Sequence, residues 1–420
     1  MGFINAISPI TSYFADGAVI SNDSNGNVFV LGKFQGTLQF NQNLSLTSGP
    51  NDGNDIFIVK ISSDLSTYIA AINVGSPNVA ITPTGLTFDS NNNLYITGYY
   101  VNGSLTIGQY ILPSTTVNSG FIASIDNNLT SWTNATSIVG GNSQITNIIY
   151  NNSLYITGEF SGSCLFGNIN LKSGTGSNIF VAQLNTLLSW INASYNPNIS
   201  AVGLSMVVYN KYLYVAGLSR SSSGSNYAFI YRLNINNLKF NTSITASTNS
   251  TLAMTGPSIT VDCCGNIYLI ATYVGNVVFG SYSVSSTSKQ DMIVASFDSN
   301  LNPTNLITTS SYNSTSLLRS QDIIFYNSNL YIICNFKSGF NILGTQIVAG
   351  NSNYNLCILK INNFSIVNYL INSGTGNVMS STESINNALY ITGNFNNNIT
   401  FGNYSINSSY TDVFIVEALL

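Results

Sequence analysis

Histidine is missing from the 420-residue chain altogether, and charge is scarce: 11 Lys/Arg stand against 15 Asp/Glu, together 6% of the residues. Soluble domains are typically about a quarter charged. Without histidine, the commonest general base and metal ligand is gone. So few cations, with a net charge of −4, exclude bulk electrostatic binding to nucleic acid, which takes clustered Lys and Arg. Long apolar runs are lacking too. None reaches the roughly 18–20 residues that cross a bilayer, and the richest, Ile267 to Gly280, is broken by Asn276 and two glycines. The start, MGFINAISPITSYF, has no basic stretch followed by a continuous apolar one, so no signal peptide is expected. Five cysteines, an odd and sparse set, imply no disulfide framework.

Uncharged groups supply the polarity instead: 62 Asn and 95 Ser plus Thr. That abundance produces Asn-x-Ser/Thr sequons by chance, so sequons such as Asn43 and Asn398 carry no information about secretion. A hydrophobic fraction of 44% is ample for a core and excludes a disordered polar tract.

Self-alignment is the informative step. One segment recurs seven times, with its aromatic marker at Phe29, Tyr95, Tyr155, Tyr214, Tyr268, Tyr331 and Tyr390. The spacings are 66, 60, 59, 54, 63 and 59 residues. A second segment follows each time, from DIFIVKI at Asp55 to DVFIVEA at Asp412. Both are β-branched and aromatic runs bounded by Gly and Asn, which is a strand signature. A shorter strand precedes the pair, as in GLTFDSNNN from Gly85, and another follows it, as in LSWINAS from Leu188. Four strands per repeat are the content of one propeller blade. Six repeats also carry an excursion of the type LFGNINL, and repeat four has the polar LSRSSSGSN in its place. The expected fold is all-β: a single seven-bladed β-propeller domain over residues 1–420, about 60 residues per blade. The last repeat lacks an outer strand, and FINAIS at Phe3 matches WINASY at Trp190, so the N-terminal strand is expected to complete the last blade and close the ring.

The motifs DSNGNVFVLG at Asp23, DSNNNLYITG at Asp89, DCCGNIYLIA at Asp262 and DMIVASF at Asp291 resemble the seven-bladed beta-propeller repeat family, SBBP-like repeats whose units read D-x-x-G-N-x-Y-V-T-G followed by D-x-F-V-A-K. The resemblance runs through the whole chain and implies a fold without fixing an activity. Repeats three, four, six and seven lack the D-x-x-G-N turn, which argues against a ligand needing it in every blade. In its Asn-rich composition the chain resembles proteins of giant DNA viruses.

No catalytic, cofactor-binding or metal-ligating set emerges, and no cofactor is expected. Asp23-Ser-Asn-Gly-Asn27 lacks the 12-residue spacing and terminal Glu of a calcium loop and reads as a tight turn. Glu159 and Asp55 are the carboxylates to weigh as a glycosidase pair. Acids this few, and this concentrated in turns, argue for no enzyme. Trp132 and Trp190 hold equivalent outer-strand positions, better explained by packing than by sugar stacking. Cys263 and Cys264 replace the second and third residues of the turn and are candidate reactive thiols at an exposed tip. Cys334 and Cys357 read as small core residues.

The irregularity of charge lies between Glu159 and Asp262: 102 residues without an acid, carrying Lys172, Lys211, Arg220, Arg232 and Lys239. These five form a candidate interaction sector for an acidic protein partner, another copy of the chain included. The resulting expectation is a non-enzymatic structural or assembly protein on the surface of a virion or other particle, acting through protein–protein contacts without nucleic acid or membrane insertion. The alternative is an extracellular adhesion or glycan-binding propeller that uses Asn and Tyr on its loops.

Overall fold

A computed structural model describes residues 1–49, 54–174, 176–221, 225–248, 254–286, 290–386 and 388–420. The described residues are organised as strands and turns without a helix, so none is available to cross a membrane. Contacts group them into two compact units, residues 2–197 with 381–420, and residues 198–380 with Met1.

In the first unit, Phe14–Asn22, Val28–Gln35, Asp55–Ile61 and Tyr68–Val74 follow one another as an antiparallel sheet. The order repeats in Ala80–Phe88, Leu94–Val101, Ser119–Ile125 and Trp132–Ser137. It repeats again from Val139–Tyr150 through Leu154–Phe166 and Asn178–Leu184 to the start of Trp190–Tyr209. In the second unit the end of that long strand pairs with Tyr212–Arg220, which is followed by Asn226–Asn234 and Phe240–Thr245. Two further sets of four, Met254–Val261 to Pro303–Thr308 and Leu317–Tyr326 to Ser365–Ile371, complete that unit. The recurring segments are thus the second and third strands of each set. The third strands are buried on both faces, as in Asp55–Ile61 and Asp291–Phe297. This explains why they read as unbroken apolar runs rather than alternating ones. Each large apolar side chain removed from water there contributes about 1.5–3 kcal/mol.

Back in the first unit, the strand Gly2–Ile7 lies antiparallel against the C-terminal strand Tyr404–Leu419, with Ala6 opposite Val416 and Ile7 opposite Ile415. Residues 412–419 of Tyr404–Leu419 pair on their other side with Ala388–Phe401, so the N-terminal strand supplies the outer strand that repeat seven lacks. A recurrent contact shows how closely it fits that role. The excursions form hairpins whose turn glycines, Gly108, Gly167, Gly280 and Gly402, all have φ between 57° and 61°. An added Cβ would sit 2.6 Å from Trp132, 2.8 Å from Trp190, 3.0 Å from Pro303 and 3.4 Å from Phe3. Each glycine satisfies two demands at once: a left-handed backbone and room for the outer-strand side chain above it. Phe3 does for repeat seven what Trp190 does for repeat three, down to an edge-to-face ring contact, 5.2 Å on Phe401 and 5.3 Å on Phe166 respectively. The two tryptophans roof hairpins of their own repeats and are not arrayed for sugar stacking.

The Asp turns are held mainly from within. Asp23 Oδ1 accepts from the backbone N–H groups of Asn25 (2.9 Å) and Asn27 (2.8 Å), while Oδ2 accepts from Asn27 Nδ2 (2.9 Å). Asp89 and Asp262 repeat the pattern. The carboxylate oxygens are occupied in holding the turn.

Candidate functional site

Two concavities open on the first unit. One, of about 480 Å³, is lined by Tyr13, Phe14, Gln35, Asn54, Tyr410 and Thr411. Tyr13 and Tyr410 are separated by almost the whole chain, and a single parallel bridge, Phe14 to Thr411, draws them together. Gln35 arrives by register, as the cross-strand partner of Phe14. Behind the rim, Asp412 Oδ2 accepts from Thr11 N (3.2 Å) and its Oδ1 from Val413 N (2.9 Å). Burial nonetheless pushes the Asp412 carboxyl up to about 6. Tyr13 and Tyr410 keep 61% and 49% of their surface exposed. Aromatic faces beside two carboxamides offer a stacking surface together with paired donors and acceptors.

The second concavity, of about 500 Å³, is lined in part by Ser24, Asn25, Asp64, Tyr390 and Glu417. The Tyr390 hydroxyl donates to the Ser63 carbonyl (2.6 Å) and lies 3.3 Å from Glu417 Oε1. Asp64 Oδ1 accepts from Ser62 Oγ (2.6 Å), Ser66 Oγ (2.8 Å) and Ser66 N (3.0 Å). Those bonds hold the Asp64 carboxyl down at about 2. Burial, aided by the Asp64 charge, moves Glu417 the other way, above the usual glutamate range, against the pull of the Tyr390 hydroxyl. Neither Asp64 nor Glu417 stands out in the sequence.

The carboxylates weighed as a pair do not meet. Asp55 is buried at the start of its strand and accepts from Asn73 Nδ2 (2.9 Å), whereas Glu159 sits in a different sheet, opposite Ile179. The five cations of the acid-free stretch are divided: Lys172 belongs to the first unit and the other four to the second. Lys172, Lys211, Arg220 and Lys239 are exposed. Arg232 is engaged internally, donating to the Ser299 carbonyl (2.8 Å), Asn300 Oδ1 (2.7 Å) and Thr242 Oγ1 (3.2 Å), its guanidinium 4.5 Å from the Tyr212 ring. Cys263 and Cys264 are exposed, and Cys334 and Cys357 are buried. Among the described residues, no group of three or more Cys, Asp or Glu is placed to share a metal ion.

The beta-propeller repeat family (SBBP) matches residues 66–99, the stretch from the first repeat's outer strand through the marker strand of repeat two. Comparison with curated proteins gives no match. Among solved structures, the chain is similar to a phage phi92 endosialidase, at 13% identity and a TM-score of 0.47, over 100% of this chain and 69% of that one. It is similar to the polysaccharide lyase Uly1, at 11% identity and a TM-score of 0.48, over 96% and 90%. A third is the Pseudomonas aeruginosa periplasmic gluconolactonase PpgL, at 11% identity and a TM-score of 0.45, over 97% and 99%. Likenesses this distant transfer no residue roles. The described residues are all-β, and residues 66–99 match the beta-propeller repeat. The expectation of a non-enzymatic structural or assembly protein of a virion or particle surface is corrected here, because the similar structures are an endosialidase, a lyase and a lactonase. The physical counterpart is a surface with concave, aromatic-rimmed and carboxylate-lined sites where an assembly face was expected.

Proposed function

We propose that the chain is a glycan-binding β-propeller facing an extracellular or surface environment, and that it binds without turnover. Its scaffold is read as seven blades of about 60 residues, closed into a ring by the N-terminal strand. The seven marker segments and the pairing of Gly2–Ile7 with Tyr404–Leu419 support that reading. One observation carries the function: Tyr13 and Tyr410, exposed rings flanking a concavity that also presents Gln35 and Asn54. Sugar rings offer apolar C–H faces to aromatic planes and hydroxyls to carboxamides, and carry no charge that this charge-poor lining would have to match.

A glycan array probed with the intact chain tests the reading. Binding to a defined set of oligosaccharides is expected, and Tyr13→Ala and Tyr410→Ala should each weaken it about tenfold, or about 1.4 kcal/mol. Both variants should melt as the parent does, since the rings are exposed. An array without signal, or binding that survives the double substitution, would sink the proposal.

A further inference from the structure

The adjacent cysteines have a geometry of their own. The turn that carries them is fixed without their help: Asp262 Oδ1 accepts from Cys264 N (2.9 Å) and Asn266 N (2.8 Å), and Asp262 Oδ2 from Asn266 Nδ2 (2.7 Å) and the Tyr268 hydroxyl (3.2 Å). Gly265, at φ +87°, packs on the Tyr209 ring so closely that a Cβ would come within 2.3 Å of it. On this anchored turn the two thiols are exposed, with Sγ atoms 3.9 Å apart.

That separation suits a shared third atom better than a bond between the sulfurs. Neighbouring residues joined by a trans peptide have Cα atoms about 3.8 Å apart, short of the roughly 4.4–6.8 Å that disulfides span. Two thiolates on one tetrahedral metal, each at about 2.3 Å, lie about 3.8 Å from one another. The pair is already spaced as one edge of such a tetrahedron.

We propose that Cys263 and Cys264 form a two-thiolate half-site for a thiophilic d¹⁰ cation of the zinc group, and that a second copy of the chain supplies the other half. Zinc in a closed site takes four ligands. The chain has no histidine. Its other three cysteines are buried, with burial pushing the Cys164 thiol up to about 11 and Cys357 well above its ordinary value. The Asp262 carboxylate is spent on the turn. The missing ligands therefore come from outside the chain, and an identical tip related by a twofold axis provides two more thiolates and closes a Cys₄ site. Binding releases one proton from each thiol and changes no oxidation state.

Cadmium is the probe. The intact chain, kept reduced with a phosphine, is titrated with Cd²⁺ while thiolate-to-metal charge-transfer absorption and native mass are recorded. Saturation is expected at one Cd²⁺ per two chains, with the mass doubling and a chelator reversing both. Cys263→Ser and Cys264→Ser should each abolish the dimer. The variant Cys263→Ser/Cys264→Asn recreates the Ser24–Asn25 turn that this chain already folds in repeat one, so it should melt normally and show neither signal. Saturation at one Cd²⁺ per chain without a dimer would overturn the shared site. Absorption persisting in the double variant, or a dimer that resists chelator but yields to reductant, would overturn the half-site itself.

Discussion

Repeats one and seven use the same register position for opposite chemistry. Lys60 stands across from Phe29, and Glu417 stands across from Tyr390. From repeat one, the Lys60 ammonium donates to the carbonyl (3.0 Å) and side-chain oxygen of Asn127, in the turn after the third strand of repeat two. It also lies 3.9 Å from Asp23 and 5.3 Å from the Phe29 ring. From repeat seven, the tyrosine makes the equivalent reach, its hydroxyl bonding the Ser63 carbonyl in the corresponding turn of repeat one. Glu417 then sits beside another acid, Asp64, and a cavity opens between them and the neighbouring turns. In the second unit, Tyr214 and Arg232 both donate to the Ser299 carbonyl, at 2.7 Å and 2.8 Å. The scaffold demands a donor for the next turn's carbonyl and leaves its identity open. A cation there seals the junction; an acid leaves it ajar.

Three substitutions probe that contrast. Lys60→Met should have the largest effect. It takes the ammonium from the Asn127 carbonyl and side-chain oxygen, while Asp23 keeps its turn donors and Asn127 Nδ2, so a loss of about 1.5–3 kcal/mol, the range for a hydrogen bond to a charged group, is expected. The shift of the urea midpoint at constant slope measures it. A loss below about 1 kcal/mol would show that the junction does not depend on the cation. Tyr390→Phe removes only the hydroxyl and leaves the ring packed, so a loss of about 1 kcal/mol is expected in the same assay. An unchanged midpoint would mean that the Ser63 carbonyl is satisfied without Tyr390.

The smallest effect is a change of slope with pH. The Glu417 carboxyl is raised on folding, so the fold favours its protonated form. Its contribution to stability is full below the unfolded value of 4.5 and is lost as pH climbs through the raised folded value. Glu417→Gln should remove that decline, leaving a flatter melting temperature from about pH 4 to pH 7. Asp64 has the opposite sign, its stabilisation present above 3.8 and lost as pH falls towards about 2. Below pH 4 the variant should therefore still lose stability. If parent and variant trace parallel curves from pH 4 to 7, Glu417 is not coupled to its surroundings as described.

Much of the scaffold was legible because repetition averages out local ambiguity. The marker strands, the apolar third strands and the match of FINAIS to WINASY each correspond to an observed element or pairing. The sites were not legible, because they arise where repetition fails. Tyr13 and Tyr410 lie outside the repeated segments and are drawn together by the bridge at Thr411 and the Thr11–Asp412 hydrogen bond. Glu417 is the one acid at a position otherwise held by Lys, Arg, Ser or Gln, a departure visible only once register shows what it faces. Arg232 misled in the other direction. Its charge marked it as available, but its guanidinium is consumed by one carbonyl, one amide, one hydroxyl and one ring.

The pairing of Gly2–Ile7 with Tyr404–Leu419 also has a mechanical meaning. Gly2 lies opposite Leu419, and the register runs inward from there to Ile7 and Ile415. A force drawing those two ends apart acts at right angles to the strands and meets the hydrogen bonds one after another. The seam then opens like a zip, at low load, whereas the same bonds pulled along the strand direction would have to rupture together.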